Sequence, residues 1–362
     1  MRLQIGLVGL PLVGKTTFFN LLTGAGAPVA SFLGASTEVH TASAVVPDER
    51  VDFLSKLYKP RKTIYARIQF KDIPGVHSEG MTRAMAAKLL EEVRSAEVLV
   101  HVVRAFENKD VSHVLESIDP YRDARDFMDE LLLADMELVE KRIERIKGGK
   151  KIKKEQQAEL GILERYLEAL ESEQPLSSLN LSDEERRIMV NYNFLTEKPV
   201  ILAVNVDENQ FRNGYPGKEE IADFAREKQM PVVEICAQIE AEINELPEED
   251  RKEFMQDLGI KESGIARLAR AAYDCLGLIS FFTVGEDEVR AWTVRKGATA
   301  PEAAGKIHSD LERGFIRAEV FNYEDLRELG SPAKVKEKGL LRVEGKDYVV
   351  RDGDIINVRF NV

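Results

Sequence analysis

The chain has 362 residues, enough for two or three compact units with separate cores, and its 44% hydrophobic and 31% charged content is that of a soluble globular protein. A net charge of −12 argues against attraction to nucleic acid over the whole surface and gives no ground to expect sequence-specific DNA binding. Two cysteines, Cys236 and Cys275, argue against a disulfide scaffold or a Cys-rich metal site. No apolar run approaches the roughly 20 residues a membrane span needs, and no targeting peptide is visible, so a cytoplasmic protein without a membrane partner is expected.

The first predicted element is the strand "LQIGLVG". It runs into "GLVGLPLVGKTTF" (6–18), where Gly9 to Thr16 fits G-x-x-x-x-G-K-T and a helix follows. A side chain at Gly9 or Gly14 would block the close approach of backbone to phosphate. The backbone of Pro11, Leu12, Val13 and Gly14, with Lys15, Thr16 and Thr17, is expected to cradle a triphosphate at the helix N-terminus. In such a loop Lys15 reaches the β- and γ-phosphates, and the Thr16 hydroxyl ligates Mg²⁺. The next loop, "SFLGASTEVHT", offers Ser36 and Thr37 as hydroxyls able to close over the ion, and the sequence does not choose between them.

The strand "ARIQFKD" leads into "FKDIPG" (70–75), where Asp72 is a second candidate Mg²⁺ holder and the Gly75 N–H a candidate γ-phosphate donor. Val76 stands where many GTPases place a water-orienting glutamine, and a valine cannot orient water. His77, and His113 beyond the strand "EVLVHVV", are the candidates for that task.

From 123 to 189 the texture becomes helical. Leu132, Met136, Val139, Ile143 and Ile146, then Leu160, Leu163, Leu167 and Leu170, recur at alternating spacings of three and four. The Gly-Gly break at 148–149 separates them, so an antiparallel coiled-coil hairpin is expected, with a basic tip "KGGKKIKK" as a local candidate for RNA contact. Strands resume at "PVILAVN" and "PVVEIC", and strands alternating with helices imply a mostly parallel sheet that binds ligands at its carboxyl edge.

"AVNVDEN" bears on the base. GTP-specific domains of this kind place N-K-x-D here, and the aspartate accepts two N–H bonds from guanine. Asn205 is present, Val206 replaces the lysine, and Glu208 replaces the aspartate. The extra methylene moves the carboxylate by about 1.5 Å, enough to spoil that two-pronged fit. ATP is therefore favoured over GTP, with a frame in which Asp207 reads the base left open. The predicted nucleotide domain covers 1–122 and 190–277. A smaller α+β unit occupies 278–362, with strands in "EVRAWTV" and "GFIRAEVF", a Thr299/Glu302 capping box, and a hairpin turning at Asp352-Gly353.

Nearly end to end, the chain resembles the YchF/Obg-like ATPase family of translation-factor-related P-loop proteins. The resemblance rests on "GLPLVGKTT", "VPDERVD", "FKDIPG", "HVVRAFEN", "AVNVDEN", "EVRAWTVRKGATAPEAAGKIHSDLERGFIRAEV" and "EGKDYVVRDGDIINVRFNV". It implies a helical hairpin inserted in the nucleotide domain and a C-terminal TGS (β-grasp) domain. It implies ATP preference through Asn205 and Glu208, a hydrophobic residue at Val76, and a catalytic histidine matching His113. It also implies a ribosome or ribosomal RNA as partner. Two stretches depart from the family: "FLGAST" where Tyr-Pro-Phe-x-Thr is usual, and "SEGMTRAMAAKL" where a Gly-rich switch is usual. Loss of those glycines is expected to stiffen the second switch or make it helical, which puts the family's switching behaviour in question, and without a supplied arginine or a bound partner slow turnover is expected. The two functions kept in view are a slow nucleotide-hydrolysing switch and a nucleotide-sensing adaptor with little hydrolysis.

Overall fold

A computed structural model describes residues 3–29, 38–75, 83–149 and 152–361, and the strands within them build two sheets. In chain order the strands are β1 (Gln4–Val8), β2 (His40–Val45), β3 (Lys62–Ile64), β4 (Arg67–Asp72), β5 (Val98–Arg104), β6 (Val200–Asn205) and β7 (Val232–Ile235). They continue as β8 (Leu278–Val284), β9 (Glu288–Arg295), β10 (Phe315–Asn322), β11 (Arg342–Glu344) and β12 (Asp354–Phe360). Two compact units result: Met1–Ala42 with Gln69–Leu268, and Ser43–Ile68 with Ala269–Val362.

The first sheet has the order β2-β4-β1-β5-β6-β7. From β4 to β7 every adjacent pair is parallel. Every residue of β5 and β6 is buried, which is why both read as mainly apolar runs rather than alternating ones. The register aligns Leu7 with Asp72, Val8 with His101, and Arg104 with Asn205. The carboxyl ends of four neighbouring strands therefore share one edge, and the loops leaving them converge there.

The helices Pro120–Lys147 and Lys154–Glu171 form the hairpin of the insert, with Val139, Ile143, Ile146, Leu163, Tyr166 and Leu170 in a common core. The first starts at Pro120 because the Asp119 carboxylate accepts from the Arg122 N–H and proline is tolerated in the first turn. Arg142 clamps Glu159 bidentately at 2.8 Å, and Lys147 pairs with Glu164 at 2.7 Å. Lys150 and Lys151 of the basic tip lie outside the described residues. The helix Arg83–Ser95 begins within the segment where the family's glycines are replaced and takes in its later part, 83–89.

The second unit carries the sheet β11-β10-β12-β8-β9-β3. The β10–β12 and β8–β9 pairs are antiparallel, whereas β12–β8 and β3–β9 are parallel. The Thr299/Glu302 capping box starts the helix Ala300–Ile307: the Thr299 N–H donates to the Glu302 carboxylate at 2.6 Å. The hairpin expected at Asp352-Gly353 does not form. Val349 makes a lone bridge to Thr299, and β12 pairs with β10 and β8 instead. The Asp352 carboxylate accepts from the Ser280 N–H at 2.8 Å and pairs with Arg50 at 2.6 Å. Residues 43–68, read from the sequence as part of the nucleotide domain, group with this unit, since β3 extends its sheet beside β9.

Asp135 is fully buried in the first unit, where it accepts from Arg94 at 3.0 Å and from the Thr196 N–H and hydroxyl at 2.8 and 3.0 Å. Removing one member of a buried pair strands its partner. Asp135→Ala is expected to lower the free energy of unfolding by about 3 kcal/mol in a denaturant titration. A loss below about 1 kcal/mol, the worth of an exposed pair, contradicts this reading.

Candidate functional site

After β1 the chain reverses through Gly9–Gly14 and enters the helix Lys15–Thr23. Gly9 has φ +138 and Gly14 φ +104. A Cβ on Gly9 would sit 2.4 Å from the Val102 carbonyl oxygen, and one on Gly14 would sit 2.3 Å from Asn205 Nδ2. Both positions need glycine for conformation and for space. Gly75 is equally confined: a Cβ there would lie 2.6 Å from the Pro11 nitrogen and 2.7 Å from the Gly9 oxygen.

The side chains of this turn are drawn inward. Lys15 Nζ donates to the carbonyls of Gly9 at 3.1 Å and Leu10 at 2.7 Å, with 7% of the residue exposed. Burial lowers its pKa to about 8, against the opposing pull of Asp72. The Thr16 hydroxyl donates to Asp72 Oδ2 at 2.7 Å. These two hard oxygens beside a phosphate-binding turn are a donor set that fits Mg²⁺, which takes one or two protein ligands and completes its shell with phosphate and water.

A cavity of about 310 Å³ opens over the turn. Leu12, Gly14, Lys15, Thr16 and Thr17 form one wall. The loop after β5 forms another, and Asn205, Val206, Asp207 and the start of the helix Ala237–Glu245 close it. Pro11 and Val13 are not on the lining. The Val13 carbonyl instead accepts from Asn205 Nδ2 at 3.0 Å, so Asn205 fastens the turn from the end of β6.

Two expected residues are placed elsewhere. Glu208 is not on the lining; its half-exposed carboxylate pairs with Arg212 at 2.7 Å, one helical turn on. Asp207 is the acid on the wall, and it caps the helix Glu208–Asn213 by accepting from the Gln210 N–H at 2.9 Å. Its second oxygen accepts from the Glu107 N–H at 3.5 Å. His113 is buried away from the cavity, with Nε2 3.3 Å from Asp123 Oδ2 and Nδ1 accepting from the Leu115 N–H at 3.2 Å. Asp123 is anchored in turn by Arg122 at 2.7 Å. Ser36, Thr37, Val76 and His77 lie outside the described residues.

The sequence reading missed Phe106, Asn108 and Val111 of the loop after β5, and Gln238 of the first turn of the helix after β7, which line the cavity at the same sheet edge. Their signal is position alone, since each follows a strand end. It also missed His101, buried beneath the turn and stacked on Phe127 at 4.0 Å between ring centroids. Burial lowers the His101 pKa to about 3, so it stays neutral near Lys15.

A parallel sheet whose first strand feeds a lysine-bearing glycine turn, with Thr16 and Asp72 brought together at its edge, defines a P-loop nucleotide-binding protein. Residues 4–135 match the family described as 50S ribosome-binding GTPase. Residues 278–361 match the YchF GTPase C-terminal family, described as a protein of unknown function (DUF933). The chain is 43% identical to the ribosome-binding ATPase YchF of Bacillus subtilis, covering 100% of both chains. It is also 43% identical to that of Escherichia coli O157:H7 over 100% of both. The solved structure of the Schizosaccharomyces pombe YchF GTPase matches with a TM-score of 0.84 and 32% identity, over 99% of this chain and 98% of that one. The chain belongs to the YchF family.

The burial of Lys15 has a consequence for stability. Its folded pKa of about 8 lies below the ordinary 10.5, so the unfolded chain binds more protons across that window and the cost of burying the charge fades as pH rises through it. Nucleotide-free Lys15→Met is expected to melt at higher temperature than the wild type at about pH 7, with the gap closing towards pH 10.5. Parallel pH profiles for the two proteins would contradict the burial of a charged lysine.

Proposed function

We propose that the chain is a Mg²⁺-dependent nucleoside triphosphatase that prefers ATP to GTP, turns over slowly, and links its nucleotide state to binding of the ribosome or ribosomal RNA in the cytoplasm. The observation that carries this is the turn Gly9–Thr16 with Lys15 folded into it and Thr16 bonded to Asp72. Its relatives from Bacillus subtilis and Escherichia coli bear the name ribosome-binding ATPase. The Schizosaccharomyces pombe relative is named a GTPase, so the base is the open point.

The acids next to the cavity favour adenine. Reading guanine takes a carboxylate free to accept from the ring N1–H and the 2-amino group together. Asp207 already accepts from the Gln210 N–H at 2.9 Å and lies 3.5 Å from the Glu107 N–H, which takes part of its accepting capacity and fixes its orientation, and Glu208 faces Arg212. Adenine has no 2-amino group and loses nothing by this. In the bound state Lys15 would exchange the carbonyls of Gly9 and Leu10 for β- and γ-phosphate oxygens, and the Gly75 N–H would donate to the γ-phosphate. Mg²⁺, held by Thr16 and Asp72 with Ser36 or Thr37 as a further ligand, would neutralise phosphate charge.

Slow turnover follows from the histidines. Among the described residues the cavity lining carries none, and His113 must leave Asp123 before it can act on water. The same burial favours, as a second reading, an adaptor that senses nucleotide and hydrolyses little.

Competition binding is expected to show ATP at least about tenfold tighter than GTP, a difference of about 1.4 kcal/mol. Tighter GTP binding overturns the base reading. Multiple-turnover phosphate release is expected to be slow in the wild type and to fall by at least about a hundredfold in Lys15→Ala, because the transferring phosphoryl group loses its charge partner. Equal release by both proteins removes the hydrolytic site from this turn, and wild-type release at background, with or without ribosomes, favours the adaptor.

A further inference from the structure

Arg104 closes β5 and is 1% exposed, among the largest fully buried side chains of the molecule. Its guanidinium partners among the described residues are all carbonyl oxygens of the loop that follows. Nε donates to Phe106 at 3.1 Å, Nη1 to Ser112 at 3.2 Å, and Nη2 to Asn108 at 3.3 Å and Val111 at 3.0 Å. The Phe106 ring lies against the guanidinium, 4.3 Å from Cζ to centroid. Three of the four residues so gathered, Phe106, Asn108 and Val111, line the cavity. The loop is also tied to the purine side of the pocket: the N–H groups of Ala105 and Phe106 donate to the Asn205 carbonyl at 2.9 and 3.1 Å.

Burying a cation is costly, and here the cost is offset by four backbone carbonyls that accept from the guanidinium. Four of the five N–H bonds of the fork are used this way, so Arg104 is not a phosphate ligand. We propose that Arg104 is a positioning residue for base recognition. By gathering these carbonyls around one planar group it fixes the wall against which the base lies, and so it sets discrimination between purines. This rests on the nucleotide-site reading above, whereas the residue itself touches no ligand. Lysine cannot replace it, since a tetrahedral ammonium lacks the flat, multi-pronged donor array that reaches carbonyls on both sides of the loop.

The test is equilibrium competition between ATP and GTP for wild type, Arg104→Ala and Arg104→Lys, with circular dichroism to confirm native helix content. The ratio of the two affinities in Arg104→Ala is expected to move at least about fivefold towards unity, because both nucleotides keep the phosphate grip while the base wall loosens. Arg104→Lys is expected to move it the same way and serves if the alanine variant does not fold. A ratio within about twofold of wild type in a folded variant overturns the proposal, as does equal weakening of both nucleotides, which is what a purely structural loss produces. Wild type preferring GTP would refute the adenine reading alone, since the shift in ratio is measured against whatever wild type shows.

Discussion

Three backbone segments meet at the edge of the first sheet with no room between them for a side chain. Gly9 lies against the Val102 carbonyl, Gly14 against Asn205, and Gly75 against the backbone of Gly9, Leu10 and Pro11. The turn after β1 is thereby wedged among the ends of β4, β5 and β6, which the parallel register has already aligned. Its carbonyls are gathered closely enough for one buried lysine to bridge two of them, and Thr16 is delivered to Asp72. Widening any of the three contacts moves the whole assembly, because a packed turn shifts as a unit.

The electrostatics around the turn follow from that crowding. Lys15 bears the positive charge at the base of the cavity, and His101 beneath it is kept neutral by burial, so no second cation competes for the same space. Arg104, a guanidinium close by, directs its donors at the loop after β5. The polar groups of the site thus have partners within the fold: Lys15 on the carbonyls of Gly9 and Leu10, Thr16 on Asp72, Asn205 on the turn, Asp207 on a helix cap, and Arg104 on the loop.

The glycine turn, Asp72 and the parallel order of strands were legible in the sequence because each is a local pattern with one physical meaning. A Gly-x₄-Gly-Lys-Thr run between strand and helix can fold in few ways, and unbroken apolar runs such as "VILAVN" need cover on both faces. The capping box at Thr299 was legible for the same reason. What stayed hidden depends on distant partners. β3 has three residues and no period to read, and only its pairing with β9 shows where residues 43–68 belong. Asp352-Gly353 has the composition of a hairpin turn, yet β12 finds a better partner in β10. Asp207 and Glu208 are neighbours of like charge, and helix capping decides which one faces the cavity. His113 was placed by its resemblance to a catalytic position, and its burial against Asp123 comes from a helix beginning several residues later. Arg104 reads as a charged residue ending an apolar strand, with nothing in sequence to reveal the four carbonyls it collects.

Glycine-only contacts hold the lysine-bearing turn in shape. Titration of Mg-ATP into Gly75→Ala tests it most directly, because the added methyl meets backbone atoms at 2.6 to 2.8 Å and touches no ligand-binding side chain. At least about a tenfold loss of affinity is expected, in a protein that keeps its wild-type helix content. Wild-type affinity in that variant would contradict it.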